Sequence, residues 1–237
     1  MKLIYRLATV FWILLAFGSL SKAQTTDDTG LWLAYFDTEK LKDGKGKDTP
    51  WLAWLDMHAR FLDDANGFNQ SILRPGLGYQ LSDDTSVWGG YAWIRTSPIS
   101  GDDFDEHRIW QQYIWNPSDF DFDPDRAFVF RTRFEQRWIE NSDDTALRLR
   151  QFLRTSKPIS SGSRITSVLW DELFFHLNDT DVGINSGFDQ NRAFVGIGYQ
   201  PSAKFPSRVE VGYLNQFINS SGPVDRMNHI LSINFFY

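Results

Sequence analysis

The chain has 237 residues, a formal net charge of −6 and no cysteine. This length suits one domain, the lack of cysteine excludes disulfides and thiolate metal sites, and the negative charge argues against a nucleic-acid partner. Aromatic residues make up 16% of the chain although its mean hydropathy is −0.37, which is typical of a β-barrel with a lipid-facing outside and a polar lumen.

The first 23 residues predict a cleaved signal peptide. Lys2 and Arg6 flank the start of an almost wholly apolar run over residues 7–17, and Ser21-Lys22-Ala23 supplies small residues where a signal peptidase reads them. The run is shorter than the ~20 residues that a membrane-spanning helix needs. We therefore expect a signal peptide over 1–23, a single barrel domain over 24–237, and a location in the bacterial outer membrane.

Beyond residue 24 the sequence predicts strands that alternate apolar and polar residues between clusters of Asp, Asn, Gly, Pro and Ser. Eleven segments have this pattern: 30–37, 50–61, 70–82, 85–96, 106–116, 126–139, 145–155, 163–177, 190–200, 207–219 and 227–237. Bacterial single-chain barrels have an even number of strands and both ends on the periplasmic side. We therefore expect an all-β, antiparallel up-and-down transmembrane β-barrel of 12 strands, with 10 strands as the alternative.

A soluble β-protein would also alternate, so a lipocalin-like binder is a rival to the membrane barrel. The long segments and the Trp and Tyr residues near their ends favour the membrane. The last strand adds to this, because four apolar residues share one face and the chain stops on an aromatic residue; these are Leu231, Ile233, Phe235 and Tyr237. That ending resembles the signal read by the outer-membrane barrel assembly machinery, so we expect this machinery, outer-membrane lipid and lipopolysaccharide as partners.

Arginine recurs on the polar faces of the predicted strands. The lumen-lining candidates are Arg60, Arg74, Arg108, Arg131, Arg133, Arg137, Arg148, Arg150, Arg154 and Arg192, together with Glu172. A guanidinium group can give a carboxylate or sulfate two parallel hydrogen bonds, so one interpretation is a track for small anionic solutes. The other is a ladder of salt bridges that closes a narrow barrel, with the acids Asp56, Glu106, Glu135, Glu172 and Glu210.

The remaining motifs give no catalytic, metal or cofactor site. Asp171 and Glu172 are adjacent and point to opposite faces of a strand, so one of them should meet a lumenal arginine such as Arg192. The acidic run over 119–125 lacks the Gly and Glu positions of a calcium loop. His229 and Ser232 fall on opposite faces, which argues against a hydrolase pair. We expect no cofactor.

Several runs carry a family resemblance; they are Glu106–Gln112, Asp171–Phe174, Phe188–Tyr199, Gly212–Gln216 and His229. They resemble a family of bacterial outer-membrane proteins catalogued as domain of unknown function 2490. The resemblance implies a barrel and an outer-membrane location but no activity. The expected function is a narrow channel for small anionic solutes; the alternatives are a lipid-modifying outer-membrane enzyme and a structural barrel with a closed, salt-bridged lumen.

Overall fold

The computed structural model describes residues 24–118, 123, 125–201 and 207–237. The predicted signal peptide and most of the acidic run, at 119–122 and 124, lie outside the described residues. Within them the chain forms eleven strands. These are β1 (Gln24–Lys42), β2 (Asp48–Leu62), β3 (Gly67–Ser82), β4 (Thr85–Thr96), β5 (Phe104–Trp115), β6 (Ala127–Ile139), β7 (Thr145–Pro158), β8 (Ile165–His176), β9 (Gly187–Tyr199), β10 (Arg208–Ile218) and β11 (Val224–Phe236).

The strands close into one barrel in which each strand pairs with its neighbour in sequence. The all-β barrel is confirmed, but the predicted count of 12, or 10, is wrong. The segment 30–37 is part of the 19-residue strand β1, which pairs antiparallel with β2 and parallel with β11. An odd number of alternating strands can close only through one parallel pair, so β1 and β11 supply the exception to an otherwise antiparallel sheet.

This closure places the two ends of the described chain at opposite openings of the barrel. Gln24 pairs with Val224 at the start of β11, whereas the end of β11 leads to Tyr237. We call the two openings the Gln24 mouth and the Tyr237 mouth. The connections after β1, β3, β5, β7 and β9 lie at the Tyr237 mouth, and those after the even-numbered strands lie at the Gln24 mouth. The expectation that both ends share one side is therefore wrong.

The barrel has many exposed apolar side chains outside and many buried charged side chains inside. Large apolar residues cover the outside, and Leu77, Val195 and Leu231 are each about half exposed, while Arg133 and Glu135 are 0% exposed inside. Three of the predicted assembly residues, Leu231, Ile233 and Phe235, lie on the outer face of β11 and alternate with lumenal Ser232 and Asn234. The fourth, Tyr237, directly follows β11 and is half exposed. No helix in the described part of the chain is long and apolar enough to cross a membrane.

Facing glycines make room for aromatic rings inside the barrel. Gly76 and Gly90 are direct partners across β3 and β4, and the ring of Trp110 lies over both. A Cβ atom at either glycine would come within 2.5 Å of that ring. A second facing pair, in β9 and β10, lies under Phe194 in the same way. Each ring therefore covers backbone that has no side chain of its own.

Candidate functional site

The lumen is the part of the molecule with the greatest concentration of charge. The structure places all ten candidate arginines on the inner face of the strands and adds Arg208, which the sequence did not single out. Nine of these eleven arginines contact six carboxylates, namely Asp56, Glu106, Glu135, Glu172, Asp189 and Glu210. Since the cations outnumber these acids by five, the network carries a net positive charge.

Glu135 is the centre of the network. Its carboxylate accepts hydrogen bonds at 2.7 Å from Arg148 Nη2 and at 2.7 Å from Arg150 Nη1. Arg108 and Arg133 lie 3.7 and 4.0 Å away. Four guanidinium groups from three neighbouring strands thus share one fully buried anion, which couples β5, β6 and β7 through the lumen.

Glu172 is the second shared carboxylate. It accepts hydrogen bonds from Arg131 Nη2 at 2.7 Å and from Arg150 Nη2 at 2.9 Å. The sequence suggested Arg192 as its partner, and Arg192 does face Glu172 across β8 and β9. However, Arg192 Nε donates instead to the side chain of Gln190 at 3.1 Å. The arginines on the strands before Glu172 therefore take both of its oxygens.

The other carboxylates pair near the two mouths. Glu106 binds Arg108 and Arg137, with 2.6 Å between Glu106 Oε1 and Arg108 Nε. Glu210 binds Arg154 across the lumen and Arg208 on its own strand, with N–O distances of 2.5 and 2.7 Å. Arg154 lies on β7 and Glu210 on β10, so this pair joins two strands that are not neighbours in the sheet.

Two arginines have no such carboxylate partner. Arg60 and Arg192 lie over the ring of Trp32, with guanidinium carbons 3.9 and 4.9 Å from ring centroids. Arg60 Nη1 donates to Gln70 Oε1 at 2.8 Å, so both arginines contact neutral amides. Among the described residues, neither has an acidic oxygen within ion-pair distance. Arg60 and Arg192 are therefore the two arginines of the network that form no direct ion pair.

The lumen holds two cavities separated by a septum. The cavity at the Tyr237 mouth measures about 810 Å³ and the cavity at the Gln24 mouth about 670 Å³. The septum consists of the side chains that line both cavities, which are Trp32, Arg60, Arg74, Arg150 and Arg192. Four guanidinium groups and one indole ring therefore lie between the two cavities.

The two cavities differ in their chemistry. The walls of the Tyr237-mouth cavity carry the aromatic residues Trp54, Trp88, Phe152 and Trp170. The walls of the Gln24-mouth cavity carry the amides Gln70, Gln190, Gln216 and Asn228. The lumen-lining candidates named from the sequence include none of these residues. The alternation of the strands could have identified them. Trp170, for example, is two residues from Glu172 and therefore lies on the same face of its strand.

The other candidate motifs lie apart from this network. His229 is on the outside, where its Nδ1 is 2.6 Å from the Tyr213 hydroxyl, whereas Ser232 is buried inside. Asp171 is also on the outside, where it accepts a hydrogen bond from Asn191 at 2.9 Å. Within residues 24–118, 123, 125–201 and 207–237, no three His, Asp or Glu side chains form a metal-binding group.

The described part of the acidic run is tied to the barrel wall. Asp123 accepts hydrogen bonds at 3.0 Å from Lys157 Nζ and from Arg126 Nε. The hydrogen bond from Lys157 holds the pKa of Asp123 below its ordinary value. This carboxylate is therefore an ionised anchor for the connection between β5 and β6.

Comparison with known proteins gives a family and one relative. The model of a family described as a protein of unknown function (DUF2490) matches residues 29–228. An uncharacterized protein of Methylorubrum extorquens is 33% identical over 224 residues, which cover 94% of this chain and 93% of the relative. No solved structure matches the chain significantly.

Proposed function

The chain belongs to the family of proteins of unknown function DUF2490, and from its geometry we propose that it is an outer-membrane β-barrel whose lumen admits small anionic solutes. The observation that carries this proposal is the central network of the lumen, in which eleven arginines outnumber six carboxylates. A lumen of net positive charge concentrates anions and repels cations.

The outer surface supports the membrane part of the proposal. Exposed apolar residues occur on the outer faces of strands all around the barrel, from Trp51 and Leu77 to Val195 and Leu231. Soluble monomers rarely expose apolar surface on this scale. The strands are 11–19 residues long, which exceeds the roughly 9–11 residues of a tilted bilayer crossing. In a membrane, lipid chains would cover this apolar surface, and no partner protein would be needed to cover it.

We expect Tyr237→Asp to prevent assembly into the outer membrane. Tyr237 is half exposed beside the outer face of β11, and its backbone N–H donates to Phe36 O at 2.8 Å on the closing strand β1. A carboxylate there would stand at the membrane interface next to the seam of the barrel. Heat-modifiable migration of the membrane fraction reports assembly, and Tyr237→Leu is the control that keeps an apolar side chain. Normal folding of Tyr237→Asp would contradict the assembly role.

Passage of a solute requires the septum to open, and two of its members have weak restraints. Arg60 and Arg192 rest on Trp32 and on amides, so moving them breaks no salt bridge. A cation–π contact contributes about 0.5–2 kcal/mol, whereas breaking a buried ion pair costs about 3–5 kcal/mol. We propose that these two arginines are the moving part and that Arg150, which binds two carboxylates, stays fixed.

We expect the reconstituted barrel to be anion-selective in planar bilayers, with a reversal potential of the corresponding sign across a salt gradient. Arg208→Glu should reduce the anion-to-cation permeability ratio several-fold, because the charge of a lumenal side chain at the Tyr237 mouth changes sign. Arg164→Glu is the matched control, since Arg164 is exposed in the connection between β7 and β8 and donates to Pro201 O. Silent bilayers, or equal effects of the two variants, would contradict transport through the lumen.

A further inference from the structure

We propose that the preferred ligand of this lumen is an organic anion with a flat aromatic or hydrocarbon body, bound in the Tyr237-mouth cavity with its acidic group on the septum. The inference rests on the proposed anion-binding lumen and adds the class of anion. A volume of about 810 Å³ lies within the range of cavities that hold small organic ligands.

The septum supplies the contacts for the acidic group. Arg60 and Arg192 are buried cations whose hydrogen-bonding partners are the amides Gln70 and Gln190. Trp32, between them, has an indole N–H that is buried and without a hydrogen-bonding partner in the described structure. Burying a cation without an anion is costly. A carboxylate or sulfonate on this floor would satisfy the unpaired charge with charge-assisted hydrogen bonds.

The cavity walls supply the contacts for the body. Trp54 and Trp88 form an edge-to-face pair on the wall of β2 and β4, with ring centroids 5.5 Å apart. Phe152 and Trp170 lie on the wall of β7 and β8, with centroids 5.6 Å apart. Strands β5 and β6 separate these two walls on one side of the barrel, and β9, β10, β11 and β1 separate them on the other side. A planar ligand entering at the Tyr237 mouth would lie between aromatic surfaces and reach the arginines with its far end.

The second cavity explains why the proposal concerns one mouth. Its walls carry amide side chains that hydrogen-bond to solutes, and the separate rings of Phe104 and Phe174, whereas the walls of the Tyr237-mouth cavity carry two pairs of aromatic rings. The flat body of an organic anion therefore meets more aromatic surface on the Tyr237 side of the septum. A bare oxyanion such as sulfate has no apolar body, so the aromatic walls would add nothing to its binding.

The test is calorimetric titration of the full-length mature barrel in detergent micelles, with micelle-only blanks subtracted. The probes are 2-naphthoate, acetate, sulfate and the neutral 2-naphthalenemethanol. We expect 2-naphthoate to bind at least ~10-fold more tightly than acetate or sulfate, because only it contacts both the arginines and the aromatic walls. The neutral alcohol should bind at least ~10-fold more weakly than 2-naphthoate, because it lacks the charge.

Variants locate the binding. Arg60→Gln should weaken 2-naphthoate binding by ~10-fold or more, and it leaves no carboxylate unpaired; Arg192→Gln is the substitute if Arg60→Gln does not fold by heat-modifiable migration. Trp170→Leu should weaken 2-naphthoate binding and leave sulfate binding unchanged. Trp51→Leu, on the outer face, is the matched control and should bind 2-naphthoate like the unaltered protein.

Each outcome bears on the inference. Sulfate that binds as tightly as 2-naphthoate would overturn the organic-anion class while leaving the anion-binding lumen in place. Binding of 2-naphthoate that is insensitive to both Arg60→Gln and Trp170→Leu would overturn the proposed site. No binding of any probe would overturn the inference, and the reversal potential of the reconstituted barrel would then decide separately whether the proposed function stands.

Discussion

Replacing Glu135 by Gln should destabilise the barrel by about 3–5 kcal/mol, the usual cost of removing one partner from a buried ion pair. Glu135 is 0% exposed and offsets the charge of Arg148 and Arg150 directly, with Arg108 and Arg133 close by. Glutamine keeps the shape of the side chain but leaves these four cations facing each other in the middle of the lumen. The whole effect is therefore electrostatic rather than steric.

The measurement is urea unfolding of the protein refolded in lipid vesicles, followed by tryptophan fluorescence. Glu39→Gln removes the same charge from an exposed position at the end of β1 and should change the free energy of unfolding by less than about 0.5 kcal/mol. If Glu135→Gln unfolds at the same urea concentration as Glu39→Gln, the central ion pairs do not stabilise the barrel.

Replacing Trp110 by Ala should also cost about 3–5 kcal/mol, because it empties the largest fully buried side-chain position in the lumen. The indole N–H of Trp110 donates to Tyr91 O at 3.1 Å, and its ring covers the facing glycines of β3 and β4. Trp93→Ala removes an indole from the outer face, where Trp93 is 38% exposed, and should cost clearly less in the same unfolding experiment.

A double variant separates packing from the loss of hydrophobic area. Gly76→Ala alone puts a methyl group 2.5 Å from the Trp110 ring and should cost about 1–3 kcal/mol through overpacking. Trp110→Leu alone leaves a cavity. Together, the new methyl group should fill part of that cavity, so the double variant should be more stable than the sum of the two changes. Strict additivity would show that the ring and the glycine do not pack against each other.

Period-2 alternation was sufficient to predict which way the strands face. The eleven sequence segments correspond to the eleven strands, and the arginines of β6 and β7 lie inside, because side-chain direction along a strand is a local property. Trp110 was within reach of the same reasoning, since it shares a face with Arg108. It was missed because apolar residues were assigned to the lipid side.

Pairing across the lumen and strand number could not be predicted in this way. Arg154 binds Glu210, although two strands and more than fifty residues separate them, and nothing local in either strand indicates the other. The count failed for a related reason: the even-number rule assumes antiparallel closure. Whether β1 and β11 pair parallel depends on contacts between segments that are 200 residues apart, which no pattern within one strand records.

The parallel pairing of β1 with β11 also limits how this chain could be circularly permuted. In a barrel with antiparallel closure, first and last strands end beside each other, and a few residues can join them into a circular permutant. Here Gln24 and Tyr237 are separated by the length of β11, whose 13 residues span about 40 Å at 3.3 Å per residue. A joining peptide would have to run through the lumen or along the apolar outer wall. Reporter domains fused at the two positions would accordingly be displayed at opposite mouths of the barrel.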